Sequence, residues 1–286
     1  MKFATVLIQG SPRVAQIDGD RPTRLLAPEF SSVADIALAG TEHIVWSNEV
    51  IPAGEMTVLA PIARPRRNIF CVGKNYRDHV REFAGSGFDA SAADTAVPDY
   101  PIIFSKVPEC VIAHHDKIMF DPAVSSAIDY EGEFAVIIGK GGRRIAKQDA
   151  LAHVWGYTIV NDVTARDVQS RMKQWHVGKS FDTFCPMGPW AVTADEIDLG
   201  NTQIRTWVNG ELRQDANTRD LIFDVPTIIE TLSAGITLYP GDVIATGTPA
   251  GVGIGFKPPK YLVHGDVVTI SISGLGTLEN RVEAIG

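Results

Sequence analysis

The 286-residue chain is short of cysteine, of basic charge and of long apolar runs, and each shortage removes a class of function. Its three cysteines, Cys71, Cys110 and Cys185, are odd in number, widely spaced and without a CxxC. Neither a disulfide framework nor a zinc cluster fits, so reduced structural thiols and a cytoplasmic setting are expected. Lys and Arg total 26 against 34 Asp and Glu, a net charge of −8. Non-specific nucleic-acid binding needs clustered basic residues, and the pairs Arg66-Arg67 and Arg143-Arg144 are too few to form a patch. No segment reaches the roughly 18 consecutive apolar residues of a membrane span. The apolar start MKFATVLIQGSPR is broken by Gln9, Gly10 and Pro12, too early for a signal peptide. Also missing are the GxSxG elbow, the HExxH helix and the phosphate loop GxxxxGK(S/T).

What is present is ordinary globular composition, 45% hydrophobic and 21% charged, with enough apolar material for one large domain plus a small one. Residues 1–62 alternate short strand-like pieces with Gly and Pro breaks and read as a small β-rich N-terminal domain. Prolines and basic residues in LAPIARPRR separate it from a larger domain over 63–286. There NYRDHVREFAG reads as a short helix stopped by Gly85, and the small-residue stretch 83–100 reads as a mobile loop or lid. From Tyr100 onward strands dominate (PIIFSK, FAVIIG, HVWGYTIVND, PWAVTA, QIRTWVNG, DVIATG and DVVTISI). Helical patterns are fewer: KQDALAHV, TARDVQSRMKQW and VPTIIETLSAG. PGDVIATG and HGDVVTISI share a Gly-Asp turn that launches an apolar strand. The fold class is α+β with β predominating.

The stretch IDYEGEFAVII carries Asp129, Glu131 and Glu133 at alternate positions, on one face of a strand by its period of two. Like charges at that spacing repel, and burial makes the repulsion worse. Taken alone, an exposed strand end explains them. The next strand, however, runs into Asn161-Asp162 with a helix starting at Thr164, as TARD resembles a capping box. Glu131, Glu133 and Asp162 then make three hard oxygen ligands suited to Mg²⁺ or Mn²⁺. In NYRDHVRE, His79 and Glu82 are three apart on a helix, so the carboxylate can orient the imidazole as a general base; taken alone, a surface pair is the blander reading. Lys179, in WHVGKSFDTF, can meet an anionic substrate or developing negative charge. The run GTPAGVGIG lacks the phosphate-binding lysine and a following helix, which leaves a flexible loop, with nucleotide binding a remote alternative.

Together these residues resemble the fumarylacetoacetate hydrolase family. FCVGKNYRDHVRE, DYEGEFAVIIGK, GYTIVNDVTARDVQ, GKSFDTFCPMGPW and LYPGDVIATGTPAGVG occur in order within residues 69–286. The resemblance implies a rolled mixed β-sheet, a homodimer and a divalent metal, Mg²⁺ or Mn²⁺. It implies Glu131, Glu133 and Asp162 as ligands, with Asp129 outside the set. It implies His79 and Glu82 as a water-activating dyad and Lys179 as a third catalytic group. Lys74, Tyr76, Arg166, Gln169 and Thr248 would contact substrate. Where fumarylacetoacetate hydrolases themselves have a further acidic ligand, this chain has Cys71-Val72-Gly73, so the three-carboxylate subgroup is the better match. That subgroup implies a small-molecule 2-oxo acid substrate. The leading expectation is hydrolysis of a 3-acylpyruvate (fumarylpyruvate-like) to pyruvate and a carboxylic acid. Oxaloacetate decarboxylation and 2-hydroxyhepta-2,4-diene-1,7-dioate isomerisation are the alternatives, and a non-catalytic metal-binding scaffold is the alternative from another class.

Overall fold

The computed structural model describes residues 1–51, 56–84 and 97–286, with no side-chain description for Phe83 and Ala84. The Gly85 stop and most of the 83–100 loop therefore lie outside the described residues. Two mixed sheets dominate. The larger runs from edge to edge through Arg21–Leu25, Ser11–Asp18, Lys2–Ile8, Cys185–Thr193, Val154–Asn161, Gly132–Ile138, Val243–Ala245, Ile69–Gly73 and Ile102–Lys106. Its pairs are antiparallel except Ile69–Gly73 with Val243–Ala245 and a short Val111–Ile112 strand beside Cys185–Thr193. The smaller runs through Glu211–Asn217, Gln203–Val208, Val267–Ile272, Gly276–Ala284 and Lys117–Phe120. Helices are few and short, so the β-predominant α+β class holds.

The Gly132–Ile138 strand is buried at every position. Phe134, Val136 and Ile138 enter one apolar cluster with Tyr157 and Ile159, while Ala135 and Ile137 enter a second with Cys71, Val160 and Cys185. A strand covered on both faces reads as a continuous apolar run, as FAVII does. The N-terminal strands join the same sheet, since Lys2 and Phe3 pair with Val192 and Ala191. They also carry one helix, Val33–Ala39, started by a Ser32/Asp35 capping box. The two Gly-Asp turns are built alike: Asp242 accepts from the Tyr239 amide and Asp266 from the Val263 amide.

Three local expectations change. KQDALAHV forms a 3-10 helix, Lys147–His153, rather than an α-helix. Thr164 starts no helix: Thr164–Ala165 pairs with Ile128–Asp129, and the Thr164 hydroxyl donates to the Asp162 carbonyl. The helical pattern TARDVQSRMKQW forms a helix only over Arg166–Met172, stopped at Lys173, whose φ of 61° an α-helix does not allow, and a separate turn of helix, His176–Lys179, follows it.

Candidate functional site

The carboxylates sit where two buried strand ends meet. Glu133 is the second residue of Gly132–Ile138, and Asp162 follows Val154–Asn161. Glu131 precedes the first of these, its amide donating to Asn161 Oδ1 at 3.0 Å and its carbonyl accepting from the Asp162 amide at 2.9 Å. One ligand atom from each of Glu131, Glu133 and Asp162 lies within 4.8 Å of the others, and all three residues are buried. Asp129 does not share their face. The strand breaks at Tyr130, and the Asp129 carboxylate turns away to accept from the amides of Gly253 and Ile254 and from Arg166 Nε. It links the glycine loop to Arg166.

Cations surround the three carboxylates. Lys179 Nζ stands 2.8 Å from Glu131 Oε2 and 2.7 Å from Asp162 Oδ2. Arg166 Nη2 is 2.7 Å from Glu131 Oε1. A third cation, which the sequence reading passed over, is Lys106 at the end of Ile102–Lys106. It is fully buried and its Nζ reaches Asp162 Oδ1 at 2.7 Å, the Val163 carbonyl at 3.1 Å and the Lys179 carbonyl. A lysine closing an otherwise apolar strand was the available signal.

The charges are distributed unevenly. Burial opposes ionisation of Glu131, but the charges of Lys179, Arg166 and His79 outweigh it and hold the carboxyl at about 2. Burial raises Glu133 well above the usual carboxylate range, and the anions Asp162 and Glu131 add to it against Lys179 and the Gly247 amide. One Glu133 oxygen accepts from Gly247 N at 2.8 Å, whereas Oε1 is buried with no hydrogen-bond partner among the described residues. Three hard carboxylates with an orphaned buried oxygen fit a divalent cation, which offsets the repulsion that Glu133 bears alone.

The remaining candidates surround one narrow cavity. Lys74, His79, Glu131, Arg166, Gln169, Lys179 and Thr248 line it, with Val72, Gly73, Phe104 and Trp175 as its apolar part. Arg166 Nη1 donates to Gln169 Oε1 at 3.2 Å, one turn along the helix. Thr248 Oγ1 donates to the Gly132 carbonyl and accepts from Gln214 Nε2, a fully buried amide that the sequence did not mark. Tyr76 is not brought to this cavity. It packs in the core, its buried hydroxyl driven up by desolvation, and lines a separate cavity of about 500 Å³ with Arg77, Arg81 and Arg219.

His79 Nδ1 lies 3.3 Å from Glu82 Oε2 on the Arg77–Ala84 helix. The glycine-rich run now has a role, because the Gly251 amide donates to both Glu82 oxygens at 3.0 and 3.1 Å. Gly251 has φ 104°, and a Cβ on Gly255 would sit 2.0 Å from Glu82 Oε1. The loop is glycine-rich because it seats a carboxylate at van der Waals range.

The model for the fumarylacetoacetate (FAA) hydrolase C-terminal domain matches residues 68–283, most of the chain. The chain belongs to the fumarylacetoacetate hydrolase family. It is 52% identical over 229 residues to oxaloacetate tautomerase YisK of Bacillus subtilis, covering 80% of this chain and 73% of that one. Among solved structures it is similar to the fumarylacetoacetate hydrolase of Exiguobacterium antarcticum, at 39% identity and TM-score 0.84 over the whole of both chains. It is also similar to the 2-hydroxyhepta-2,4-diene-1,7-dioate isomerase of Mycobacterium marinum, at 34% identity and TM-score 0.80, covering 100% of this chain and 99% of that one. This fumarylacetoacetate hydrolase family enzyme has, among its described residues, no helix long and apolar enough to cross a membrane.

Proposed function

We propose that this enzyme interconverts the enol and keto forms of a short 2-oxo diacid of the oxaloacetate type. The observation that carries the reading is that His79, paired with Glu82, shares one cavity with Glu131 of the Glu131, Glu133 and Asp162 cluster, together with the 52% identity to an oxaloacetate tautomerase. Glu82, fixed by the Gly251 amide, engages Nδ1 of His79, so proton exchange with the substrate runs through Nε2. In the keto direction His79 takes the enol hydroxyl proton and returns a proton to C3; the reverse direction retraces both transfers. Lys179 and Arg166 hold the acid's oxygens by charge-assisted hydrogen bonds, and Gln169 and Thr248 orient it. A divalent cation held by Glu131, Glu133 and Asp162 would supply positive charge beside the carboxylate and 2-oxo oxygens as the enolate develops. We propose Mg²⁺ or Mn²⁺ for that place and a homodimer as the assembly.

Hydrolysis of a 3-acylpyruvate, which the sequence put first, is the second reading. It is favoured by the same dyad, since an imidazole backed by a carboxylate can equally deprotonate water. The two readings separate in one assay. Protein loaded with Mg²⁺ or Mn²⁺ is given enol-oxaloacetate, followed by the loss of enol absorbance, and a panel of short acylpyruvates, followed by pyruvate release. Faster ketonisation without pyruvate from the panel supports the first reading; the opposite result replaces it with the second. Glu131→Gln is expected to lower divalent-metal affinity by about 100-fold or more, read by calorimetry, and to remove both activities.

A further inference from the structure

The polar residues of the cavity are accounted for above, but its aromatic wall is not. Phe104 and Trp175 meet edge to face, with ring centroids 5.3 Å apart and planes at 73°. Trp175 stands at the N-cap of His176–Lys179, and its carbonyl accepts from the Lys179 amide at 3.1 Å. The turn that delivers the Lys179 ammonium to the carboxylates thus also delivers an indole to the cavity wall. The next residue fastens this turn to the neighbouring strand, because His176 Nδ1 lies 2.9 Å from the Ser105 carbonyl, between Phe104 and Lys106.

The indole occupies the place of a missing side chain. A Cβ on Gly73 would lie 2.4 Å from Cζ3 and 2.9 Å from Cη2 of Trp175. Gly73 is not among the glycines of positive φ, so it serves here for space rather than for backbone conformation. With the indole in place the cavity is only about 20 Å³, room for about one water. Lys74, Arg166 and Lys179 supply its positive charge, with Lys179 Nζ 5.1 Å from the Phe104 ring centroid, while Val72, Phe104 and Trp175 form its apolar wall. A longer acid would have to push its added carbons into that wall. Val72 and Phe104 belong to sheet strands, while Trp175 is half-buried on a short link between two helices.

Resting on the oxo-acid reading above, we propose that Trp175 is the specificity-determining residue of this site. Its indole, seated against Gly73, limits the length of diacid the cavity accepts, which the oxaloacetate reading puts at four carbons. Trp175→Ala admits five- and six-carbon 2-oxo diacids, and Gly73→Ala dislodges the indole from its seat.

The experiment compares wild type, Trp175→Ala, Trp175→Phe, Gly73→Ala and the Trp175→Ala/Gly73→Ala double variant, all with Mg²⁺. Turnover is measured on oxaloacetate, 2-oxoglutarate and 2-oxoadipate enols, and binding on oxalate, malonate, glutarate and adipate by calorimetry. Trp175→Ala should shift the kcat/KM ratio of the six- to the four-carbon acid upward by about tenfold or more, chiefly through KM. Trp175→Phe should restore most of the wild-type ratio. Gly73→Ala should weaken the four-carbon acid severalfold in wild type but less than about twofold in the Trp175→Ala background, since the two changes contest one space. An unchanged length preference in Trp175→Ala, or an equal Gly73→Ala penalty in both backgrounds, overturns the proposal. If wild type turns over none of these acids, the activity reading falls. The binding series then decides alone: a length cut-off that Trp175→Ala removes upholds the role, and its absence overturns it.

Discussion

The two sheets treat charge in opposite ways. In the larger, Gly132–Ile138 and Cys185–Thr193 are buried at every position and Val154–Asn161 at all but its first. In the smaller, Gln203–Val208 and Val267–Ile272 alternate between buried and more open positions. Charges on the open face of the smaller sheet remain in water, where pairing them changes little. Charges at the strand ends that form the site, Lys106, Glu133 and Asp162, have lost water altogether and must be matched one by one. The site therefore lies at the end of the doubly covered sheet, where an unmatched carboxylate such as Glu133 is costly and a bound cation would offset that cost.

The strongest way to break this contrast is Lys106→Met. It removes the cation from Asp162 and strips a donor from two carbonyls in a fully buried setting. It should lower unfolding free energy by about 3–5 kcal/mol in urea titration, and a loss under about 1 kcal/mol would contradict the contrast. Next is Gly132→Ala, at the seam between the sheets, where a Cβ would lie 2.4 Å from Thr206 Oγ1. A cost of about 1–3 kcal/mol is expected from overpacking, and Thr206→Ala in the same chain should recover part of it. Arg205→Ala, on the open face, breaks an ion pair with Asp215 whose side chains are 49% and 42% exposed. Its unfolding free energy should stay within about 1 kcal/mol of wild type.

The smallest effect is a pH slope at His114, whose Nδ1 accepts from the Glu279 amide of the smaller sheet. Burial and the neighbouring His115 charge lower it to about 4, against an ordinary value of 6.5. As pH falls through that window the unfolded chain takes up a proton that the folded chain refuses, so stability declines from about 6.5 down to about 4 and is unaffected above it. His114→Asn keeps an acceptor and should flatten that part of the Tm profile, read by calorimetry between pH 7 and 4.5.

Much of the site was legible because its carriers are local patterns. Glu131 and Glu133 stand out by spacing against an apolar run, and His79 and Glu82 by helical offset. Lys106 was missed although it ends a recognisable strand, since its partner Asp162 is 56 positions away. Asp129 looked equivalent to its neighbours until the strand broke at Tyr130, and its amide donors lie 124 and 125 positions on. The glycines of GTPAGVGIG gave no hint of their purpose, because the carboxylate they seat is Glu82, 169 positions before Gly251. The helix stop at Lys173 was hidden by a pattern that stayed helical through Trp175.

By itself the sequence determined the β-rich class, the apolar strands and the presence of three carboxylates with a histidine dyad, since alternation and short spacings act within one element. Only the tertiary structure decided which anion meets which cation, which carboxylate is left with an orphaned oxygen and which wall closes the cavity. Those outcomes depend on groups brought together from distant parts of the chain, and desolvation, which gives them their energy, exists only once the sheets have closed around them.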